Sequence, residues 1–255
     1  MTGDNAATDD LFGRINYRRF VAWESRIKRE LPFLLDTFGK PGPLPLMDIA
    51  CGTGEHAHTL TREGYVVLGL DFSLHMLGEA RSAHPHLPLV AADMTRMPFG
   101  TGRLLGGALC LGNSLATLTE DRQVSAFLTG LKGMLAPGAP LLLQIINYHR
   151  IYEKGIRHLP LNFRSEKGRE ILYIRILDPI DRTRIRIEVL TLERTPPDGE
   201  SRIVRTASRI MRPLRDEEVK DFLTRAGFER IDLYGDYAGS PYAPQESTDV
   251  IAVAR

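Results

Sequence analysis

The stretch that decides the fold is LMDIACGTGEHA, from Leu46 to Ala57. It begins as a short apolar run with one acid inside it, which is typical of a buried strand. Gly52 and Gly54 then allow a tight turn into a following helix and let a ligand approach the backbone closely. On its own, the pattern Gly-x-Gly-x-x-Ala also suits a dinucleotide fold. The turn therefore predicts a nucleotide site and leaves the kind of nucleotide open.

The acids at the strand ends narrow that choice. Asp48 lies just before the turn, where a carboxylate would repel a pyrophosphate and would suit a ligand with cationic ammonium and sulfonium groups. Asp71 ends the run VVLGLD, where it could accept hydrogen bonds from ribose hydroxyls. Asp93 ends LVAAD, and with Met94 it could bind the amino group and ring of an adenine. Each acid alone fits a helix cap or a turn equally well, but the three together predict a nucleoside site.

Apolar runs and helical segments alternate on both sides of these acids. This alternation predicts a parallel sheet with helices on both faces. The apolar runs are LMDIA, YVVLGLD, LPLVAAD, GGALCLG and LLLQIIN, and helices are predicted at about 55–63, 73–83 and 121–135.

The pattern changes after Tyr148. Residues 170–177, 183–192 and 200–211 alternate polar and apolar side chains and are separated by the turn signals DPID and PPDG. They predict a small antiparallel β cap of three strands, inserted over the parallel sheet. Its many arginines are typical of a solvated face, with an anion-binding surface as the alternative. A helix at 216–226 and two strands, ERIDLY and TDVIAVA, then return to the core.

The N-terminal part predicts a helical lid. Residues 1–10 are polar and are expected to be disordered, whereas residues 11–38 carry apolar side chains at helical spacing, with Pro32 opening a second segment. The linker GKPGPLP ends the helical pattern. The chain thus divides into the lid (1–40), a nucleotide-binding core (41–150), the cap insertion (151–212) and a C-terminal helix with the last two strands of the core (213–255).

Composition excludes several classes of protein. The 255 residues are 43% hydrophobic, which is enough for a large core. The 33 basic and 32 acidic residues argue against binding dominated by nucleic-acid phosphates. We expect a cytoplasmic protein without membrane contact, because the sequence has neither a long apolar run nor the features of a signal peptide. Cys51 and Cys110 are expected to be reduced thiols, and the histidine pairs at 56/58 and 84/86 lack the further ligands of a metal site.

Several of these motifs resemble one known family. DIACGTG, the acid ending the second strand and the AD pair ending the third resemble the class I S-adenosylmethionine-dependent methyltransferases over residues 44–150, and in strand pattern to the C-terminus. Within that superfamily the chain is most similar to the glycine N-methyltransferase-like group, through CLGNSLATL (110–118), NYHRIYEKG (147–155) and GDYAGSPYAPQ (235–245). The resemblance implies a Rossmann-like, seven-stranded, mostly parallel sheet of order 3-2-1-4-5-7-6 with its last strand antiparallel. It also implies S-adenosyl-L-methionine as methyl donor and S-adenosyl-L-homocysteine as product.

The same resemblance implies which residues hold the donor. Two of them, Tyr17 and Arg26 in the predicted lid, fit this role and the roles of a core tyrosine and a surface arginine equally well. The predicted cofactor residues are Asp48, Ala50, Gly52 and Gly54 around the methionine part, Asp71 at the ribose, Asp93 and Met94 at the adenine, Leu111 and Ser114 on the floor, Tyr17 and Arg26 closing over it, and Phe72 and Met76 without an assigned part of the cofactor.

The acceptor side departs from the family pattern. In the glycine enzyme an arginine precedes Asn-Tyr after the fifth strand and pairs with the carboxylate of the amino acid, whereas this chain has Ile146. Because an apolar side chain cannot make that contact, glycine and sarcosine are not expected to be methylated. Asn113 and Tyr148 are predicted to orient the acceptor. His149 is the candidate base, or otherwise a partly exposed histidine at a strand end.

We therefore predict a methyltransferase that acts on a small molecule, at nitrogen rather than oxygen, by in-line transfer. Two alternatives remain at this point: a nicotinamide-dependent oxidoreductase, and a non-catalytic module that binds S-adenosylmethionine and regulates a partner. A homo-oligomer is compatible with the sequence, and nucleic acid and membranes are not expected as partners.

Overall fold

The structure is a computed structural model that describes residues 17–100, 102, 104–166, 168–196 and 199–255, without the side chains of Tyr17, Arg19 and Glu166. The expected disorder of residues 1–10 lies outside the described residues. The helices are α1 (Tyr17–Phe20), α2 (Trp23–Phe38), α3 (Glu55–Arg62), α4 (Leu74–Ala83), α5 (Asp121–Met134), α6 (Tyr148–Glu153) and α7 (Asp216–Arg225), with a 3₁₀ turn at Ser114–Thr117. The strands are β1 (Leu46–Ile49), β2 (Val67–Asp71), β3 (Leu89–Ala91), β4 (Gly107–Cys110), β5 (Leu141–Ile146), β6 (Asn162–Glu166), β7 (Arg169–Pro179), β8 (Ile185–Arg194), β9 (Arg202–Met211), β10 (Ile231–Tyr234) and β11 (Asp249–Ala254).

The central sheet has seven strands in the order β3-β2-β1-β4-β5-β11-β10. Strands β1 to β5 pair in parallel, and β11 is antiparallel to both of its neighbours. The predicted order, with β10 and β11 as its sixth and seventh strands, is confirmed. Because parallel strands end at the same edge of a sheet, the three acids predicted as ligands are brought to one side of the molecule.

Helices cover both faces of this sheet, which explains the short uninterrupted apolar runs. Every residue of β1 and β4 is buried. On one face, Phe127 of α5 and Phe222 of α7 join the larger core cluster. On the other face, Leu34 of α2 and Leu60 of α3 pack against the sheet. Within the described residues, no helix has the length and apolar character needed to cross a membrane.

The cap is an antiparallel sheet of four strands in the order β6-β7-β8-β9. The sequence predicted three, and it missed β6 because NFRSE carries a single apolar side chain and no alternation. In the structure, β6 pairs with β7 along Asn162–Glu166. Tyr173, Val189 and Ala207 on one face of the cap pack with Phe20 of α1. The cap and the N-terminal segment are therefore in direct contact.

Two local predictions are wrong. Pro32 does not open a second helix, because α2 is continuous from Trp23 to Phe38 with the proline inside it. An interior proline costs about 3 kcal/mol, and the buried side chains of Glu30 and Leu34 on either side of it hold the helix against the sheet. His149 does not lie at a strand end, because Tyr148–Glu153 forms α6, whose first turn is capped by the side chain of Asn147 accepting from the Arg150 amide.

Candidate functional site

A cavity of about 590 Å³ lies at the carboxyl ends of β1 to β4. It is enclosed further by α2 and by one cap residue, Arg209 of β9. Most of the predicted cofactor residues line it. They are Arg26, Asp48, Ala50, Gly52, Asp71, Phe72, Met76, Asp93, Met94, Leu111 and Ser114.

The turn after β1 depends on left-handed backbone conformations. Ala50 has φ 54°, Gly52 has φ 56° and Gly54 has φ 79°. Gly52 lines the cavity, so its missing side chain leaves room for a ligand. Gly54 does not line it, because it lies beneath the turn, where a Cβ would be 2.9 Å from Cδ2 of Leu87. Its glycine is therefore explained by packing between the turn and the segment after α4.

Asp48 provides a buried negative charge in the cavity wall. Its side chain is 2% exposed, and its Oδ2 accepts from the Ala57 amide at 3.2 Å. Burial raises the pKa of Asp48 to about 6, although His56 and the Ala57 amide act in the opposite direction. A cationic ligand next to this carboxylate would offset the cost of burying its charge.

Asp71 and Asp93 each use their carboxylates locally and keep capacity for a ligand. The Gly52 amide donates to Oδ2 of Asp71 and the Ser73 amide donates to its Oδ1, both at 2.8 Å. In Asp93, Oδ1 accepts from the amide and the hydroxyl of Thr95, both at 2.8 Å. Because a carboxylate oxygen has two lone pairs, both groups can still accept from a bound nucleoside.

The two thiols are not equipped for chemistry. Cys51 and Cys110 are both buried and free, in agreement with the expected reduced state. Burial, together with the charges of Asp48 and Asp71, raises the pKa of both thiols well above its ordinary value. Neither is therefore a nucleophile at neutral pH.

A second cavity of about 1040 Å³ adjoins the first. The two share Arg26, from α2, and Gly112, from the loop after β4. Parts of the chain that are far apart in sequence form its wall. They include Val21 before α2, Ile146 at the end of β5, Arg150 of α6, the loop 155–161, Arg175 and Ile187 of the cap, and Asp249 at the start of β11.

The predicted acceptor-orienting pair contributes to the shared loop. Asn113, at φ 69°, lines the second cavity, and its side chain is engaged within the protein. Its Oδ1 accepts from the Ile146 amide at 3.1 Å, and its Nδ2 donates to the Tyr148 hydroxyl at 2.8 Å. Tyr148 is fully buried and lines neither cavity. These contacts hold the loop that carries Gly112, and a direct contact of either side chain with an acceptor stays a prediction.

The candidate base, His149, lies away from both cavities. Its Nδ1 is 3.7 Å from Oδ1 of Asp216, so it links α6 to α7. The placement gives no support to its predicted role. Tyr17 lies at the start of α1, and its side chain is outside the described residues.

The sequence did not predict the network that holds Arg26. Glu30, one turn further along α2, is 1% exposed and accepts from Arg26 Nε at 2.8 Å. Its other oxygen lies 2.7 Å from Nε2 of His56 on α3. Burial alone would raise the pKa of Glu30, but the hydrogen bond from His56 and the charge of Arg26 lower it. The only signal in the sequence was the spacing of four between Arg26 and Glu30.

The second cavity is strongly cationic. Six arginines line it, and the acids among its lining residues are Glu30 and Asp249. Arg157 is already paired with Asp178, whereas Nε of Arg150 is buried without a hydrogen-bond partner in the described part of the chain. The six are Arg26, Arg29, Arg150, Arg157, Arg164 and Arg175.

Asp249 is a further residue of this cavity that the sequence did not single out. Its Oδ1 accepts from Gln144 Nε2 at 2.6 Å, and its Oδ2 accepts from the Thr248 hydroxyl at 3.0 Å. In the sequence, TDV is only the polar start of a strand.

Among the described residues, no three His, Cys, Asp or Glu side chains lie together as metal ligands would.

Comparison with known proteins gives a consistent result. A family model described as a methyltransferase domain matches residues 46–138. The chain is 26% identical over 221 residues to a glycine/sarcosine N-methyltransferase from Halorhodospira halochloris, covering 85% of this chain and 77% of the relative. CalS10, an amino pentose methyltransferase from Micromonospora echinaspora, has the same fold, with a TM-score of 0.72 at 20% identity over the whole of both chains. So does the sugar N-methyltransferase KedS8 from Streptoalloteichus, with a TM-score of 0.70 at 20% identity over 100% of this chain and 98% of that one.

Proposed function

The chain is a class I S-adenosylmethionine-dependent methyltransferase, and from this premise we propose that it methylates the nitrogen of a small-molecule amine. The observation that carries the proposal is the pair of cavities that meet at Arg26 and Gly112. The cavity at the strand ends holds the methyl donor, and we call it the donor cavity. The adjoining one holds the amine, and we call it the acceptor cavity.

The acids that line the donor cavity suit the positive charge and the polar groups of S-adenosylmethionine. When bound, that molecule supplies a methyl group activated by a sulfonium. Asp48 faces the cationic methionine part, Asp71 accepts from the ribose hydroxyls, and Asp93 with Met94 binds the adenine. Arg26, held by Glu30, closes the cavity from α2. The protein's task is to align the acceptor nitrogen with the methyl carbon and to exclude water.

An amine is favoured over an alcohol because of the groups that face the acceptor cavity. A neutral amine attacks without a strong base, whereas an alcohol gains from one. The predicted base, His149, lies elsewhere. Of the two carboxylates that line this cavity, Glu30 is engaged by Arg26 and His56, and Asp249 is a weak base for a hydroxyl group. Two of the similar proteins named above, the glycine/sarcosine enzyme and the sugar enzyme KedS8, are N-methyltransferases.

The arginines indicate that the amine also carries a negative group. Guanidinium groups bind carboxylates and phosphates through paired hydrogen bonds. Arg150 and its neighbours would supply that contact at a different place from Ile146, which leaves an apolar side chain where the glycine enzyme has arginine. At about 1040 Å³ the cavity reaches the upper end of the usual ligand range. An anionic amine larger than glycine fits it best.

The experiment is a turnover assay that measures release of S-adenosylhomocysteine. The panel contains primary and secondary amines bearing a carboxylate or phosphate, amino sugars, the matched hydroxyl compounds, glycine and sarcosine. We expect turnover of anionic amines and none of glycine, sarcosine or the hydroxyl compounds. Turnover restricted to the hydroxyl compounds would overturn the proposed N-transfer, and turnover of glycine at physiological concentration would contradict the argument from Ile146.

A further inference from the structure

We infer that Asp249 accepts the N–H hydrogens of the acceptor amine beside the methyl group being transferred, and that Gln144 is the positioning residue that aims it. This rests on the proposed N-methyl transfer and goes beyond it by assigning the group that selects the reacting nitrogen. Asp249 thereby takes the place in the site that the sequence assigned to His149.

The position of Asp249 follows from a short hydrogen-bond chain. Gly112, which lines both cavities, donates its amide to Oε1 of Gln144 at 2.7 Å. The Asn113 amide donates to the same oxygen at 3.3 Å. The other end of the Gln144 amide, Nε2, donates to Oδ1 of Asp249 at 2.6 Å. One side chain therefore joins the loop at the cavity junction to the carboxylate.

The strand register explains why this arrangement is rigid. Strand β11 is antiparallel to β5, with Asp249 opposite Ile146 and Ile251 opposite Gln144. Asp249 thus begins the strand beside the end of β5, where the Asn113 loop is also bonded through the Ile146 amide. Because Gln144 is 7% exposed and uses both ends of its amide, its orientation is fixed.

The surroundings leave the carboxylate usable by a ligand. Each of its oxygens accepts one hydrogen bond within the protein, and each can accept another. The pKa of Asp249 is raised, chiefly by burial and to a smaller extent by the charge of Glu30. The hydrogen bonds from Gln144 and Thr248 and the charge of Arg26 act in the opposite direction. Tyr237 lines the same cavity, and its pKa is raised by burial and, to a smaller extent, by the charges of Glu30 and Asp249. A carboxylate that lines a cavity and whose pKa is raised by burial is typical of a binding site.

The chemistry needs a negative group at this place. The nitrogen lone pair forms the new N–C bond, the C–S bond breaks, and its electron pair remains on the sulfur of S-adenosylhomocysteine. Positive charge passes from sulfur to nitrogen during this step, and a carboxylate that accepts N–H hydrogens stabilises the nitrogen more in the transition state than before it. The methylated ammonium then loses one proton through Asp249 to water, which leaves a neutral methylated amine and an ionised Asp249.

The test compares Asp249→Asn with wild type on the anionic amine that the panel identifies. Asparagine keeps the size and an oxygen for Gln144 but removes the charge. We expect kcat to fall about tenfold to 100-fold, with unchanged affinity for S-adenosylhomocysteine and an unchanged unfolding temperature. The matched control is Asp232→Asn, on the neighbouring strand β10 and outside both cavities, which leaves kcat unchanged. Asp249→Glu, which keeps the charge, recovers part of the loss.

A pH profile separates this role from a structural one. As pH falls through the raised pKa of Asp249 the carboxylate is protonated, so wild type loses activity on an acidic limb that lies above the range of an ordinary aspartate. Asp249→Asn lacks this limb and keeps the limb that comes from the amine's own protonation. If wild type methylates amines and Asp249→Asn matches it in kcat and pH profile, the inference alone fails. If wild type methylates no amine of the panel, the proposed function fails and the inference with it.

Discussion

The donor cavity and the acceptor cavity meet at two residues, yet they are made from different parts of the chain. The donor cavity is built mainly from residues that directly follow four neighbouring strands, and Asp71 holds the turn after β1 through the Gly52 amide. The acceptor cavity takes its side chains from parts that are far apart in sequence, namely the N-terminal segment, α6, the loop after it, the cap and the start of β11. One half of the site is therefore a property of the sheet, and the other half is a property of the parts added to it.

This difference has an energetic consequence. A substitution in the donor half affects ligand binding and also the turn after β1, which Asp71 at the end of β2 holds in place. Ligand affinity and folding stability are therefore coupled there. A change in the acceptor half removes one contact from a wall that several elements support. Substitutions in the donor half should therefore cause the larger losses of donor affinity and of folding stability. Substitutions in the acceptor half should change which acceptor is methylated without changing donor affinity.

The largest effect is expected for Asp71→Ala. It removes the carboxylate that accepts from the Gly52 and Ser73 amides, and with it the charged acceptors proposed for two ribose hydroxyls. At about 1.5–3 kcal/mol for each hydrogen bond to a charged group, the loss is at least 100-fold in affinity. Isothermal titration with S-adenosylhomocysteine measures it, and Asp36→Ala on the exposed side of α2 is the control. Unchanged affinity in Asp71→Ala would rule out the ribose assignment.

A smaller effect, on folding, is expected for Gly54→Ala. The new Cβ would lie 2.9 Å from Leu87 Cδ2, at a backbone φ of 79° that an alanine rarely adopts. Together, strain and overpacking are expected to cost about 2–4 kcal/mol, measured by urea unfolding. Gly78→Ala, in α4 with open space around its Cβ, should be neutral or stabilising. Equal stability of the two variants would show that Gly54 is not a packing residue.

The smallest effect, and the one confined to the acceptor half, is expected for Arg150→Gln. It removes a guanidinium that lines the acceptor cavity with its Nε lacking a partner in the described chain. KM for an anionic amine should rise about tenfold, while affinity for S-adenosylhomocysteine stays the same. Arg157→Gln, whose guanidinium is already bonded to Asp178, should raise KM less. A fall in donor affinity in Arg150→Gln would contradict the separation of the two halves.

The same difference explains what could be predicted from the sequence. Asp48, Asp71 and Asp93 could be predicted to lie together because each is an acid within or at the end of an apolar run, and the strand order brings such positions to one cavity. Asp249 and Arg150 were not singled out from the sequence. Asp249 stands at the polar start of a strand and Arg150 stands next to His149, and only the register of β11 on β5 and the position of α6 bring them to a cavity. His149 looked equally suitable as a sequence position. The first turn of α6 places it against Asp216 instead.

The N-terminal segment and the cap each contain an element that sequence patterns do not predict. The alternation along β7, β8 and β9 predicted strands correctly, but the short β6 lacks that signal and is defined by its pairing with β7. Pro32 is a strong local signal that was overridden, because buried contacts on both sides of it keep α2 continuous. In both cases tertiary packing decided what local preference could not.

The most direct test of the two-cavity site is a crystal structure of the protein with S-adenosylhomocysteine. We expect the ligand in the donor cavity, with its ribose on Asp71 and its sulfur at the junction formed by Arg26 and Gly112, facing Asp249 across the acceptor cavity. A sulfur turned away from that junction, or a ligand seated among the arginines of the second cavity, would contradict the assignment of the two cavities.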